Sequence, residues 1–165
     1  MKRVALPVAL FVLAAAIVVA GTLLLVNPRA KGAPDNEAVI DRTRTTQVIG
    51  QVSTALNSVL SYSYSDPATN SAAAKKWLAG DAVGQYKVLF TQLQKRAPGQ
   101  KLTFIAKVVT AGVSTLAGDS AQLLVFLDQK STRASDGQST VAAAQVLISA
   151  RLQSGTWRIT ELKPL

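Results

Sequence analysis

The chain has 165 residues, with 18 Lys and Arg against 9 Asp and Glu, and neither cysteine nor histidine. Those absences exclude disulfides, thiolate nucleophiles and cysteine- or histidine-ligated metals, and they remove the commonest general base. Four cations (Lys2, Arg3, Arg29 and Lys31) flank an apolar run; from Gly32 onward 14 cations meet 9 acids, a net +5, scattered or in pairs such as Lys75-Lys76 and Lys95-Arg96. A scatter without a long basic run or interleaved aromatics speaks against nucleic acid as a partner.

Residues 4–26 carry no charged side chain over 23 positions. A helix of that length rises about 34 Å, enough to cross a hydrocarbon core of about 30 Å. The run is too long for the apolar region of a cleaved signal, and Asn27-Pro28-Arg29-Ala30-Lys31 is a poor cleavage context. The expectation is a single-pass anchor in the plasma membrane, with a short cytoplasmic tail and the rest of the chain extracytoplasmic. Residues 1–26 are thus tail and anchor. Residues 27–35, with two prolines and Gly32, form a linker, and residues 36–165 form one folded domain.

The domain opens with Asp35-Asn36-Glu37, which offers capping chemistry for a helix over residues 36–61. From Val48 onward Ile49, Val52, Leu56, Val59 and Leu60 trace one helical face; Arg42, Arg44, Gln51 and Asn57 occupy the other. Tyr62 and Tyr64 follow, with one expected in the core and the other exposed. Asp66-Pro67 reads as a turn. A short helix is expected over 70–79, carrying Trp77, and a second over 81–96, with Val83, Tyr86, Leu89, Phe90 and Leu93 on one face. Pro98-Gly99 is its expected end.

After Gly99 the period falls from about 3.6 to two. Leu102, Phe104, Ala106 and Val108 alternate with polar residues, and the phase slips at Val108-Val109, the mark of a bulge. Gly118 sits in a hairpin connection. Residues 121–129 (AQLLVFLDQ) make the most apolar strand, expected to be central, and 130–139 reads as a polar loop. A third strand covers 141–153; Gly155 turns the chain into a fourth, 156–162, with Trp157 and Ile159 on one face. Helices first and strands afterwards define an α+β fold, with three helices packed on a curved antiparallel four-stranded sheet to give a cone-like domain.

The motif search is negative. There is no phosphate-binding loop, dinucleotide fingerprint or nucleophile elbow. Asp128 is a lone carboxylate at a strand end, expected to be solvated or paired with Lys130. Trp77, Tyr86, Phe90, Phe104, Phe126 and Trp157 are the large side chains available to line a cavity or core. No catalytic, cofactor or metal residue is assigned.

The order and spacing of several segments resemble the Mce-associated membrane proteins of actinobacteria, accessory proteins of the mammalian-cell-entry lipid transporters. The segments are the anchor, Val59-Leu60-Ser61-Tyr62-Ser63-Tyr64, Trp77-Leu78, Gln85-Tyr86, Leu124-Val125-Phe126-Leu127-Asp128-Gln129, Gly155-Thr156-Trp157-Arg158-Ile159 and the terminal Leu162-Lys163-Pro164-Leu165. The resemblance spans nearly the whole chain. It implies a nuclear-transport-factor-2-like cone and a non-enzymatic role in assembling or stabilising a lipid import complex, with Mce transporter subunits as partners and lipid contact conceivable but unsupported. Two other classes stay open. One is an isomerase or hydratase using the cone's cavity, with an acid such as Asp128 facing Tyr86. The other is an inner-membrane scaffold subunit of a type IV secretion-like system.

Overall fold

The computed structural model describes residues 36–38 and 41–165. The anchor expected over residues 4–26 and the linker over 27–35 lie outside the described residues. Among the described residues no helix is long and apolar enough to cross a membrane.

Helix α1 (Arg42–Val59) starts later than the residue pattern suggests, because Asp41 is its cap: the Asp41 carboxylate accepts from Arg44 N at 2.9 Å. Asn36 and Glu37, the expected cap, are bound to the sheet instead. Glu37 N donates to Leu116 O at 2.7 Å, and Asn36 takes Leu116 N at 3.0 Å while donating to Ser114 O at 2.9 Å. Helix α2 (Pro67–Trp77) starts earlier than expected. Asp66 caps it through the Thr69 amide and hydroxyl, and Pro67 stands at the first helical position, where a missing N–H costs nothing. Asp66-Pro67 is therefore a helix start rather than a turn. Helix α3 (Asp81–Gln100) runs through Pro98-Gly99 and stops at Lys101, whose φ of 50° is the left-handed conformation that closes a helix.

The sheet has five antiparallel strands in sequential order, one more than expected. The extra strand, β1 (Tyr62–Ser63), is too short to show a period; it exists because Tyr62 pairs with Phe104 and Ser63 with Thr103. The others are β2 (Leu102–Ala117), β3 (Ser120–Arg133), β4 (Ser139–Gln153) and β5 (Thr156–Pro164). β3 is central. The loop expected over 130–139 shrinks to a turn, since Lys130 pairs with Val141 and Thr132 with Ser139. Ladder hydrogen bonds need no apolar side chains, so a polar, two-sided exposed hairpin arm reads as loop. β2 slips register between Val108 and Thr110, at the expected bulge, and again between Val113 and Thr115. Bulges bend and twist a strand, which curls the sheet round the helices.

Inward-facing residues of the sheet (Leu116, Leu123, Val125, Leu127, Ile148, Trp157 and Ile159) and one face of α1 (Val48, Val52, Leu56 and Val59) form the main core. A smaller cluster lies beside it, where α3, β1 and the start of β2 bring Tyr62 and Phe90 together under Tyr64, Leu102 and Phe104.

Polar side chains close much of the sheet's two edges, which would otherwise present unpaired backbone. On β2, Ser61 Oγ accepts from Ala106 N at 3.0 Å and Asn57 Oδ1 from Val108 N at 2.8 Å. On β5, Gln51 Oε1 accepts from Trp157 N at 2.7 Å and Gln85 Oε1 from Leu162 N at 2.9 Å, while Ala79 N donates to Ile159 O. Gln51 and Asn57 thus belong to the packing interface, not to a solvated helix face.

Candidate functional site

The six aromatic residues that the composition offers for a cavity or core do not converge. Trp157 is fully buried in the main core, and Trp77 packs partly buried on its rim under the Lys76 ammonium, 4.6 Å from the ring centre. Tyr86, Phe90 and Phe104 meet in the second cluster. Tyr86 stacks on Phe90 at 4.4 Å between ring centres, and Tyr62 tilts against Phe90 at 6.2 Å. Phe126 points the other way. It lies on the sheet face opposite the helices, so it lines neither the core nor the cone's interior.

That assignment follows from period two on a strand apolar on both faces. Ala121, Leu123, Val125 and Leu127 are buried against α1, which turns Leu124, Phe126 and Asp128 outward. Cross-strand register then puts Gly112 and Leu147 beside Leu124, Thr110 and Gln145 beside Phe126, and Lys107 and Ala143 beside Asp128. A groove of about 410 Å³ forms there, lined by Val109, Phe126, Asp128, Ala143, Gln145 and Leu165. Asp128 is exposed at its rim, and Tyr86 is on the far side of the sheet, so an acid–phenol pair between these two residues is not assembled.

The polar centre of the helical layer is Asn70, which is 2 % exposed. Its amide nitrogen donates to Val59 O at 2.7 Å and Ser61 O at 2.6 Å, and its oxygen accepts from the Tyr86 hydroxyl at 2.5 Å. One side chain on α2 therefore satisfies the orphan carbonyls at the end of α1 and fixes α3. Burial pushes the Tyr86 phenol up from its ordinary value of 10.0. A phenol raised in this way and already donating to an amide is suited to holding helices together rather than to giving up a proton. Arg158, on β5, donates to Lys75 O at 2.9 Å and to Leu78 O, closing the end of α2.

Acids elsewhere have local work. Asp66 caps α2, and the Thr69 hydroxyl bonded to it lowers its pKa below 3.8. Glu37 pairs with Arg44 at 2.9 Å, Asp136 with Arg133 at 3.0 Å, and Glu161 accepts from the Ser149 hydroxyl at 3.1 Å. Among the described residues no three acids come together as a metal site would require. Sequence reasoning missed Asn70, Gln51, Asn57 and Gln85. The signal was faint: a polar amide bordering an apolar helical stripe looks the same whether it meets water or a strand edge.

Three helices wrapped by a curled antiparallel sheet define the fold of nuclear-transport-factor-2-like and VirB8-like domains. At 13 % identity, an IcmL-like type IV secretion system protein from Legionella pneumophila superposes with a TM-score of 0.60 over 81 % of this chain and 94 % of that one. CagV, a VirB8 homologue of the type IV secretion system of Helicobacter pylori, superposes at 0.59 and 13 % identity, over 73 % of this chain and 98 % of that one. A nuclear-transport-factor-2-like superfamily protein from Salmonella enterica gives 0.51 at 13 % identity, over 73 % of this chain and 92 % of that one. In sequence, the chain is 34 % identical over 133 residues to the uncharacterized protein Rv1362c of Mycobacterium tuberculosis. That match covers 80 % of this chain but only 60 % of the relative's length. No family model matches.

Proposed function

We propose that this chain is a non-enzymatic, membrane-anchored accessory protein that stabilises or assembles an Mce-type lipid import complex, its folded domain lying outside the cytoplasmic membrane. The observation that carries the reading is the coupling of an uncharged 23-residue run to an α+β cone. In that cone the central polar side chains of the helical layer, Asn70 and Tyr86, are bonded to each other and to backbone. Such a body offers shape and surface to a partner. The lipid-import setting rests on the resemblance of the segment order to Mce-associated membrane proteins.

Deleting the gene is expected to lower the level of the transporter subunits or the uptake of lipid. Unchanged levels together with unchanged uptake overturn the reading. Protease access to tags at both ends in intact spheroplasts tests the orientation, and a protected C-terminal tag overturns it.

A second reading has its own support. The fold is shared with an IcmL-like protein and with CagV, both components of type IV secretion systems. A scaffold in a secretion-like assembly would use the same anchored cone. Crosslinked pull-down from membranes separates the two by the identity of the captured subunits.

A further inference from the structure

Residues 36–38 are strapped down onto the hairpin that joins β2 to β3. The Asn36 side chain donates to Ser114 O at 2.9 Å and accepts from Leu116 N at 3.0 Å, and Glu37 N donates to Leu116 O at 2.7 Å. The first turn of α1 locks the strap from the other side. Arg44 donates to the Glu37 carboxylate at 2.9 Å and to Gly118 O at 2.5 Å, and the Thr45 hydroxyl donates to Ala38 O at 2.8 Å. Asn36 and Arg44 each hold two groups at once, so two side chains carry much of this attachment.

The strap fixes the end of the domain at which the preceding chain enters. Gly118 is in the turn between β2 and β3. Asp119 O accepts from Leu152 N at 2.9 Å, which brings the turn between β4 and β5, at Ser154-Gly155, to the same end. The turn between β3 and β4, beyond Arg133, lies at the other end. β2 runs from one end to the other over 16 residues, about 50 Å of strand. Nine residues, 27–35, separate the uncharged run from Asn36, and fully extended they cover about 35 Å. A tether shorter than the body it holds, clamped at one end, cannot stand that body on its other end. Ala117-Gly118-Asp119-Ser120 and Gln153-Ser154-Gly155-Thr156 carry no large apolar side chain, so the two turns suit a border with headgroups rather than entry into hydrocarbon.

We infer that the strap aims the domain: the turns at Gly118 and Gly155 face the lipid headgroups of the bilayer that holds the anchor, and the turn between β3 and β4 points away from them. This orientation rests on the anchored reading above and adds to it which surface meets the lipid. The bilayer is the partner of the hairpin end because the covalent tether keeps the two together whatever else binds. The strap's bonds set the tether's length. Without the Asn36 and Arg44 side chains the tether gains the five residues 36–40, ahead of the Asp41 cap, and reaches about 50 Å, enough for the domain to turn over.

The chain has no cysteine, so one introduced thiol carries a nitroxide label at a single place. Ser120→Cys and Gln153→Cys report on the hairpin end and Ser135→Cys on the far turn; all three positions are exposed. The full chain is reconstituted in phosphatidylcholine vesicles with a minor share of a nickel-chelating lipid, and the relaxation of each label by headgroup nickel is read. Relaxation is expected for the two hairpin labels and is lost for the label on the far turn. Asn36→Ala combined with Arg44→Ala leaves the Arg44 amide on the Asp41 cap and should bring the far label into contact with nickel. The thermal midpoint shows whether this variant is folded, and the comparison within the parent chain stands without it. Equal relaxation of all three labels in the parent chain, as for a domain lying on its flank, or stronger relaxation at the far turn, overturns the inference while leaving the anchor in place. An unchanged contrast in the folded double variant overturns the role of the strap. A chain that does not float with the vesicles overturns the anchored reading, and the orientation with it.

Discussion

Gln51 and Trp157 are 106 positions apart, and the Gln51 side-chain oxygen takes the Trp157 backbone N–H at 2.7 Å. This one bond ties the middle of α1 to the outer edge of β5, directly over the largest fully buried side chain of the core. Without it, the start of β5 would hold an unpaired donor at a partly buried position. Gln51→Ala should therefore cost about 1–3 kcal/mol, the penalty for stranding a buried polar group. Urea unfolding measures it, and a midpoint indistinguishable from that of the parent chain would show that water replaces the amide at no cost.

Trp157 and Phe126 are a contrasting pair. Trp157→Ala empties a fully buried site and should cost about 3–5 kcal/mol, enough to unfold a marginal domain. Phe126→Ala removes a ring from the outer groove, where solvent already reaches, and should cost less than about 1.5 kcal/mol. Comparable losses for the two would put Phe126 in the core and invert the facing of β3.

Asn70 and Tyr86 should behave as one unit. Tyr86→Phe leaves the Asn70 oxygen without its donor and should cost about 1 kcal/mol. Asn70→Ala removes three hydrogen bonds and should cost more. The double variant should be less damaging than the sum of the two, because they share a bond. Thermal unfolding of the four chains in a cycle checks this.

Tyr86 also sets an alkaline limit. Its folded pKa is raised by burial above the ordinary value of 10.0, so between those two values the unfolded chain gives up a proton that the folded chain keeps. The contribution is therefore present below pH 10 and lost as pH climbs through 10 toward the folded value. The difference in stability between the parent chain and Tyr86→Phe should shrink across that window; a difference that holds constant contradicts a buried phenol.

Asp66 sets the opposite limit. Its pKa is lowered below 3.8, first by the Thr69 hydroxyl and then by the Thr69 amide. The stability it brings is present above 3.8 and fades as pH falls through the folded value. Thr69→Val should raise the Asp66 pKa toward 3.8, which carboxylate chemical shifts report directly. An unmoved titration would mean that the hydroxyl does not engage the carboxylate.

Much of this architecture is legible in the residues. The bulge at Val108-Val109, the hairpin turns at Gly118 and Gly155 and the inward pairing of Trp157 with Ile159 all appear in the folded chain, and the change from helical to strand period appears two residues later than Gly99, at Lys101. Local rules reach these features because they depend on neighbours a few positions apart. The start of α1 and the arm over residues 130–139 escaped because distant partners decide them. Asn36 and Glu37 are held by Ser114 and Leu116, and Lys130 by Val141.

The amino-acid order alone determined that helices precede the four long antiparallel strands, that the chain carries an uncharged run of membrane-spanning length, and that histidine and cysteine chemistry is absent. Tertiary structure alone decided which face of β3 is buried. Leu123, Val125 and Leu127 on one side and Leu124 and Phe126 on the other are almost equally apolar, so hydrophobicity does not choose between them. It also decided that Gln51, Asn57 and Gln85 bond strand edges. A side chain's polarity states only that it needs a hydrogen bond; where that bond is made depends on which backbone the fold brings within reach.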